Sequence, residues 1–579
     1  MALRLEKIES LQKRTDITQE LAHLFSLVDA DAKFLAYFSL GMVAPPYENK
    51  NFNLSTKSLV RVLAQLQGKE IKETAQEAKE EGDIGLYAES VMLLIRNGKP
   101  CESSMTLAQL SSAFDNLLSL TGKGSQEAKE AALIDLFCSN CHVSVRYIAR
   151  CLVGKLRLGF SDMTLLDAWS WMMRGDKTLR PLLEHRYNVS ADIGDVIQTV
   201  KAGGADALHA AEITPGIPVR PAAAERLSDA QAIVDKLGPC VAQPKLDGFR
   251  VQVHVWTDHE GARQVRFFSR NLHDMSDMFP DIAALVKDLP ASGVVMEGEA
   301  IAHDLVTGQF LPFQETVKRK RKHGVESAAD QTPLTLYLFD VLHLDGKDFF
   351  NTSHEERRAH MHALCKDVPD DHRLEVIEER VITTGEALAV YFDEAMAHGL
   401  EGLVVKKPDA GYRPGKRNFS WIKLKRQETG SLDDTVDCVI LGYYKGAGRR
   451  ARLGIGALLV GIYNTEKDVF QTIAKIGTGF SDDEWRGQKQ MCDAFAVHEQ
   501  PHNVDCPKAL VPDVWVVPEY VCMIRADNIT RSPLHTAGKS DAVSGFALRF
   551  PRVMGMRPDK DAQQTTSQAE IAALYEMQV

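Results

Sequence analysis

The chain has 579 residues, more than one hydrophobic core usually serves, so three or four domains are expected. At 44% hydrophobic and 25% charged it has a globular composition, and no apolar run approaches the roughly 20 residues that a membrane span needs. A formal net charge of −11 excludes a uniformly basic surface, so any grip on a polyanion must come from local clusters of cations.

Three such clusters occur, at Lys318 to Lys322 (KRKRK), Lys416 to Arg426 (KRNFSWIKLKR) and Lys445 to Arg452 (KGAGRRAR). Each taken alone reads equally well as a solvated loop, and the first also as a nuclear address. The opening MALRLEKIESLQKR places charges where a secretory signal needs its apolar stretch, so a cytoplasmic location is expected in a prokaryotic or archaeal host and a nuclear one in a eukaryote. Ten cysteines scattered over the whole length suit reduced thiols. Only Cys138 and Cys141 have metal-like spacing, and with no second such pair the expectation is a helix start, not zinc.

Taken in chain order, residues 1–213 read as helical. LVRVLAQLQ (59–67) and IDLFCSNCHVSVRYIARCLVGKL (134–156) repeat apolar residues at three- and four-residue spacing. GDIG (82–85) and DIGD (192–195) each open a helical pattern, a faint internal echo. TPGIPVRPAAA (214–224) then marks a boundary through its prolines. Beyond it the period becomes two, as in FRVQVHVW (249–256), with further strands at 293–302, 333–344, 401–407 and 420–425 and helices at 354–365 and 386–398. That pattern predicts an α+β domain with antiparallel sheets over 214–428. From 429 to 579, CVILGYYKG, ALLVGIYN and VWVVPEYVCMI predict a small β-barrel closed by a terminal helix at 567–577.

Several motifs carry chemistry. Lys245-Leu246-Asp247-Gly248 falls between a short strand and the long alternating one, which places the lysine at a tight turn. An amine kept deprotonated by nearby positive charge is able to attack phosphorus and hold a nucleotide covalently. Arg250 and Arg270 supply such charge. In VVMEGEAIAH, Glu297 and Glu299 share one strand face, with Val294, Met296, Gly298, Ala300 and Ala302 on the other. Such a pair is either solvent-facing charge or a ribose and Mg²⁺ site, since hard cations want oxygen ligands. Glu401 adds a carboxylate at a strand start. In LTLYLFDVLHL, leucines at 334, 336, 338, 342 and 344 form one stripe and Phe339 faces the other way, as a core aromatic or a platform for a purine. Lys423 and Lys425 share a strand face, an arrangement that a bound triphosphate would favour.

In this order and spacing KLDGFR, FSRN, MEGEA, LYLFDV, EGLVVKK and WIKLK resemble the signature of the covalent nucleotidyltransferase superfamily of DNA ligases, RNA ligases and mRNA capping enzymes. ALRFPRVMGMRPDK (547–560) looks like its final motif in the DNA-ligase form. GMVAPPYENKNFNL (41–54), GKGSQEAK (122–129) and KLRLGFSDMTLLDA (155–168) resemble the helical DNA-binding domain of three-domain ATP-dependent DNA ligases of the archaeal and eukaryotic replicative type. Capping guanylyltransferases and most RNA ligases lack that domain, and the intact Lys245, Glu299, Glu401 and Lys423 argue against a DNA-clamping scaffold with a dead site.

The resemblance implies an all-α DNA-binding domain (1–213), an adenylation domain (214–428) and an OB-fold domain (429–579). It further implies sealing of nicked double-stranded DNA by a monomer that uses ATP and Mg²⁺ or Mn²⁺, with a sliding clamp as a candidate partner. Lys245 would take AMP from ATP, pass it to the 5′-phosphate of the nick, and the 3′-hydroxyl would displace it. Glu299 would hold the ribose and, with Glu401, the metal, while Phe339 stacks on adenine. Arg250, Arg270, Arg417, Lys423 and Lys425 would contact phosphates, and Arg549, Arg552, Arg557 and Lys560 would orient the leaving pyrophosphate as the C-terminal barrel closes. In one departure, Gln243 stands where the family often has Glu two residues before the nucleophile. Its amide carbonyl accepts a bond from the adenine amino group more weakly than a carboxylate.

Overall fold

The computed structural model describes residues 1–97, 105–154, 156–227, 229–302, 310–311, 316, 333–366, 373–398, 400–425, 435–540 and 543–576. The Lys318 to Lys322 run lies outside them. The chain forms two compact units, one of Met1–Ser58 with Gly98–Arg426 and one of Leu59–Asn97 with Gln427–Val579.

The first unit begins with helices whose starts are written in the sequence. Asp192 caps Ile193–Gly203 by accepting from the Gly194 amide at 2.8 Å. Cys141 is the N-cap of His142–Leu152, its sulfur accepting from the Ser144 amide at 3.4 Å, so the helix-start reading of that cysteine holds. Helices Arg14–Ser26 and Asp162–Arg174 pack through an edge-to-face contact of Phe25 and Trp169, 5.4 Å between centroids.

After the proline-rich stretch come two sheets. The five-stranded sheet runs in the order Ala223–Arg226, Arg417–Lys425, Gly402–Lys406, Cys240–Pro244, Arg380–Ile382. The six-stranded sheet contains Arg263–Ser269, Phe249–Thr257, Gly293–Ala302, Leu334–Leu344, Lys347–Asp348 and Leu374–Val376. Pairing is antiparallel except for two edge pairs, Ala223–Arg226 on Arg417–Lys425 and Leu374–Val376 on Leu334–Leu344, which are parallel. Each sheet buries its outer face under helices: Ala230–Leu237 and Gly385–Ala397 cover the first, Pro280–Lys287 and His354–Leu364 the second. Their inner faces meet around Val219, Val295, Leu342, Tyr412 and Trp421. Val294, Met296, Ala300 and Ala302 lie in the outer core, as the alternation predicts.

The leucine stripe of Leu334–Leu344 differs from expectation. The ladder pairs Glu297 with Asp340 and Gly298 with Leu338, so Phe339 is an extra residue in a β-bulge. The bulge inverts the phase of the residues that follow it until a second bulge at Leu342 restores it, and Leu344 packs on the outer core again. Leu334, Leu336 and Leu338 join the outer core, whereas Leu342 lies in the inner one, and the stripe is not continuous.

In the second unit, Asp83 caps Ile84–Ile95 through the Gly85 amide at 2.8 Å, so the two Asp-Ile-Gly echoes are the same capping device used twice. Strands Val436–Tyr444, Ala457–Asn464 and Val469–Ile476 form the centre of an eight-stranded sheet. Val436, Cys438 and Ile440 enter one core and Val439 and Leu441 another, so this strand is buried on both faces. Helix Asp482–Ala494 contributes Trp485 and Cys492 to the first of these cores, and helix Gln568–Glu576 lies where a terminal helix was expected.

Candidate active site

Lys245 follows the strand Cys240–Pro244 on a turn stitched to its neighbour. Its amide donates to the Gly402 carbonyl at 2.9 Å, and its own carbonyl accepts from the Glu401 amide at 3.1 Å. Leu246 is buried in the sheet core and pins the turn from below. Two glycines permit the close approach. A Cβ on Gly248 would lie 2.4 Å from the Ala300 carbonyl oxygen. At Gly402, where φ is +136°, it would lie 2.2 Å from the Leu424 oxygen. Glycine in the Lys-Leu-Asp-Gly motif is thus demanded by packing.

The turn opens into a cavity of about 460 Å³ between the two sheets. Ten of the adenylation-domain residues singled out from the sequence border it, and Glu297 does not. Gln243, Lys245, Arg250, Arg270 and Glu299 lie along one stretch of chain, and Phe339, Glu401, Arg417, Lys423 and Lys425 return to the same cavity from later strands. Glu401 forms ion pairs with both Lys245 and Lys425, the latter at 2.8 Å. Burial pushes the Asp247 carboxyl up, and the neighbouring Glu401 charge adds to this. Burial likewise lowers Lys423, and the cations Lys425, Arg417, Arg270 and Lys245 act in the same sense.

The two glutamates of the Met-Glu-Gly-Glu segment divide. Glu299 faces the cavity and accepts from the Gly248 amide at 3.2 Å. Burial pushes its carboxyl up to about 7, with Lys245 and Arg250 pulling the other way. Glu297 is 1% exposed and fully engaged. It takes both oxygens to Arg250 Nη2 at 3.0 and 2.9 Å and accepts the Tyr412 hydroxyl at 2.8 Å. Arg250 also donates to the Ala222 carbonyl at 2.8 Å, so its guanidinium is fixed before any ligand arrives.

Phe339 borders the cavity, with the Arg250 guanidinium 5.4 Å and the Lys406 amine 5.1 Å from its ring centroid. Lys406 is buried, its amine lowered to about 8 by that burial, and its Nζ donates to the Phe339 carbonyl at 2.9 Å, holding the bulge in place. Beside Gln243, Glu379 accepts the Gln243 amide nitrogen and His354 Nε2, each at 2.8 Å. Sequence reasoning missed Lys406, Glu379 and His354. Lys406 stood within a quoted motif, but nothing in IEER (377–380) marks its second glutamate.

The C-terminal cations belong to the second unit, and three of them are paired there. Arg557 and Lys560 share Asp437 at 3.1 and 2.6 Å, and Arg552 pairs with Asp527 at 3.0 Å. Arg549 is exposed, 5.1 Å from the Phe550 ring. In the basic run after Lys445, Arg450 donates to the Gly456 and Gly477 carbonyls at 2.9 and 2.6 Å, a structural use of one of its charges.

A turn lysine at the mouth of a cationic cavity with an aromatic wall defines a nucleotidyltransferase domain. Family models match in chain order: "DNA ligase N terminus" over residues 1–170, "ATP dependent DNA ligase domain" over 221–425 and "ATP dependent DNA ligase C terminal region" over 451–560. A "Probable DNA ligase" of Dictyoglomus thermophilum is 40% identical over 100% of this chain and 97% of its own length. "DNA ligase 2" of Thermofilum pendens is 36% identical over 99% of this chain and 96% of its own. The chain belongs to the ATP-dependent DNA ligase family. A solved structure named "Pmar-Lig_Pre." shares the fold, with a TM-score of 0.55 at 18% identity over 96% of this chain and 99% of that one. Among the described residues no helix is long and apolar enough to cross a membrane.

Proposed function

We propose that this chain seals nicks in duplex DNA through a lysyl-adenylate on Lys245. The observation that carries the reading is the convergence on one cavity of Lys245, Glu299, Phe339, Glu401, Lys423 and Lys425, drawn from both sheets. Lys245 Nζ, freed of its proton, forms a bond to the α-phosphorus of ATP as the bond to pyrophosphate breaks. The 5′-phosphate of the nick then takes AMP from the lysine, and the 3′-hydroxyl displaces AMP to close the backbone. The protein's part is to place these groups and neutralise their charge.

In this reading Phe339 stacks on adenine, Glu299 holds the ribose, and Arg270, Arg417, Lys423 and Lys425 contact phosphates. Arg250 lends its charge from a position locked by Glu297. Arg549, Arg552, Arg557 and Lys560 orient the pyrophosphate. Glu299 and Glu401, two carboxylates on one cavity, suit Mg²⁺ or Mn²⁺ held jointly with substrate phosphates, and such a cation would neutralise charge developing on them. DNA is gripped by its backbone, since nicks occur in any sequence. Incubation with α-labelled ATP and denaturing electrophoresis is the test. The wild-type chain should carry label and Lys245→Ala none, and label persisting on the variant would show the wrong lysine.

A further inference from the structure

Gln243 is 2% exposed, lies two residues before Lys245 and borders the cavity. Unlike a carboxylate, which is an acceptor at both oxygens, a primary amide presents a carbonyl or an amino group according to which way it is turned. A loose amide would therefore serve equally a purine with a 6-amino donor and one with a 6-oxo acceptor. Here it is not loose. Its nitrogen donates to Glu379 Oε2 at 2.8 Å.

Glu379 is itself held in its acceptor state. Burial pushes its carboxyl up, but the hydrogen bond from His354 and the charge of Arg358 outweigh this and keep it below its ordinary value. His354 Nε2 reaches the same oxygen at 2.8 Å and Arg358 Nε lies 3.6 Å from the other. Burial and the charge of Lys406 lower His354, and its buried Nδ1 has no hydrogen-bond partner, as fits a neutral ring that donates from Nε2. Turning the Gln243 amide over would set its carbonyl against an ionised carboxylate, two acceptors 2.8 Å apart with no proton between them.

We propose that Glu379 is a positioning residue that locks the Gln243 amide, so that its carbonyl is left to meet the 6-amino group of adenine and 6-oxo purines are rejected. The proposal rests on the reading of this cavity as a nucleotide site. It extends that reading to a residue outside the cavity wall and 136 positions along the chain.

The test compares single-turnover self-nucleotidylation with α-labelled ATP and α-labelled ITP, which differ in the purine only at position 6 and the adjoining ring nitrogen. The wild type should favour ATP by roughly tenfold to a hundredfold, the penalty for an unpaired polar group in a buried site. Glu379→Gln, whose amide pairs with Gln243 in either orientation, should bring the ratio towards one. The charge swap Gln243→Glu with Glu379→Gln restores a fixed acceptor beside a donor and should return the preference. A merely structural role for Glu379 predicts no such rescue. Equal use of ITP by the wild type, an unchanged ratio in Glu379→Gln, or no preference in the swap would each overturn the proposal. If Glu379→Gln does not fold, the wild-type ratio and the swap decide. Failure of the wild type to take label from ATP would instead refute the ligase reading.

Discussion

Replacing Glu299 by glutamine should make the protein more stable while removing its activity. Moving a carboxyl from its ordinary 4.5 to about 7 corresponds to about 3 kcal/mol at roughly 1.36 kcal/mol per pH decade. The sign follows from which state binds the proton more tightly. Between pH 4.5 and 7 the folded chain keeps a proton that the unfolded chain has lost, so wild-type stability is highest below 4.5 and falls as pH rises through about 7. Glutamine fills the same space, still offers an oxygen to the Gly248 amide and does not titrate. The variant should therefore gain about 2–3 kcal/mol at pH 8 and less than about 1 kcal/mol at pH 5. Urea midpoints at the two pH values, compared at a common slope, measure the difference. Self-adenylylation at pH 8 should collapse in parallel, because the ribose and the cation each lose an ionised partner. A variant less stable than wild type at pH 8, or a gap that does not narrow at pH 5, would refute the reasoning.

Substituting Arg557 or Lys560 by glutamine should cut self-adenylylation by about 10²-fold, as for one lost preorganised electrostatic contact, yet spare sealing of a chemically pre-adenylated nick. Equal losses on the two substrates in single-turnover assays would mean that these cations grip DNA instead. The same variants should lose little stability, since the buried Asp437 keeps the other cation as its partner in each. Gly248→Ala places a methyl 2.4 Å from the Ala300 carbonyl oxygen and should destabilise the fold by about 2–3 kcal/mol while displacing Lys245. A normal melting point together with normal adenylylation would show that the turn accommodates a side chain.

Periodicity reported the parts of the fold governed by a single face. FRVQVHVW alternates because its valines enter the outer core, and the strand Phe249–Thr257 stands where they place it. The leucines of LTLYLFDVLHL misled because residue counting assumes an unbroken ladder, whereas the inserted Phe339 reverses the facing of Leu342. The ten motif residues of the adenylation region were legible because each is a charged, amide or aromatic group in a short local pattern. Their supports were not. Glu379 and His354 act through contacts 136 and 25 residues apart, and Asp340 pairs with Arg357 in complete burial, where a charge has no periodic signature. The pairing of Glu297 with Arg250 was hidden for a different reason. Both lie on the expected face, and only their separation of 3.0 and 2.9 Å shows that one carboxylate is already spent.

The two main-chain bonds that join Lys245 to Gly402 and Glu401 bear on how the turn moves in time. Although Lys245 lies beyond the end of its strand, its amide is tied into the sheet as firmly as a ladder residue. Amide hydrogen exchange at Lys245 and Glu401 should consequently track opening of the whole five-stranded sheet and not the rapid fraying usual in loops. Lysine and carboxylate then keep a fixed separation through every fluctuation short of unfolding, and the entropy of bringing them together is lost once, when the chain folds, and not again at each turnover.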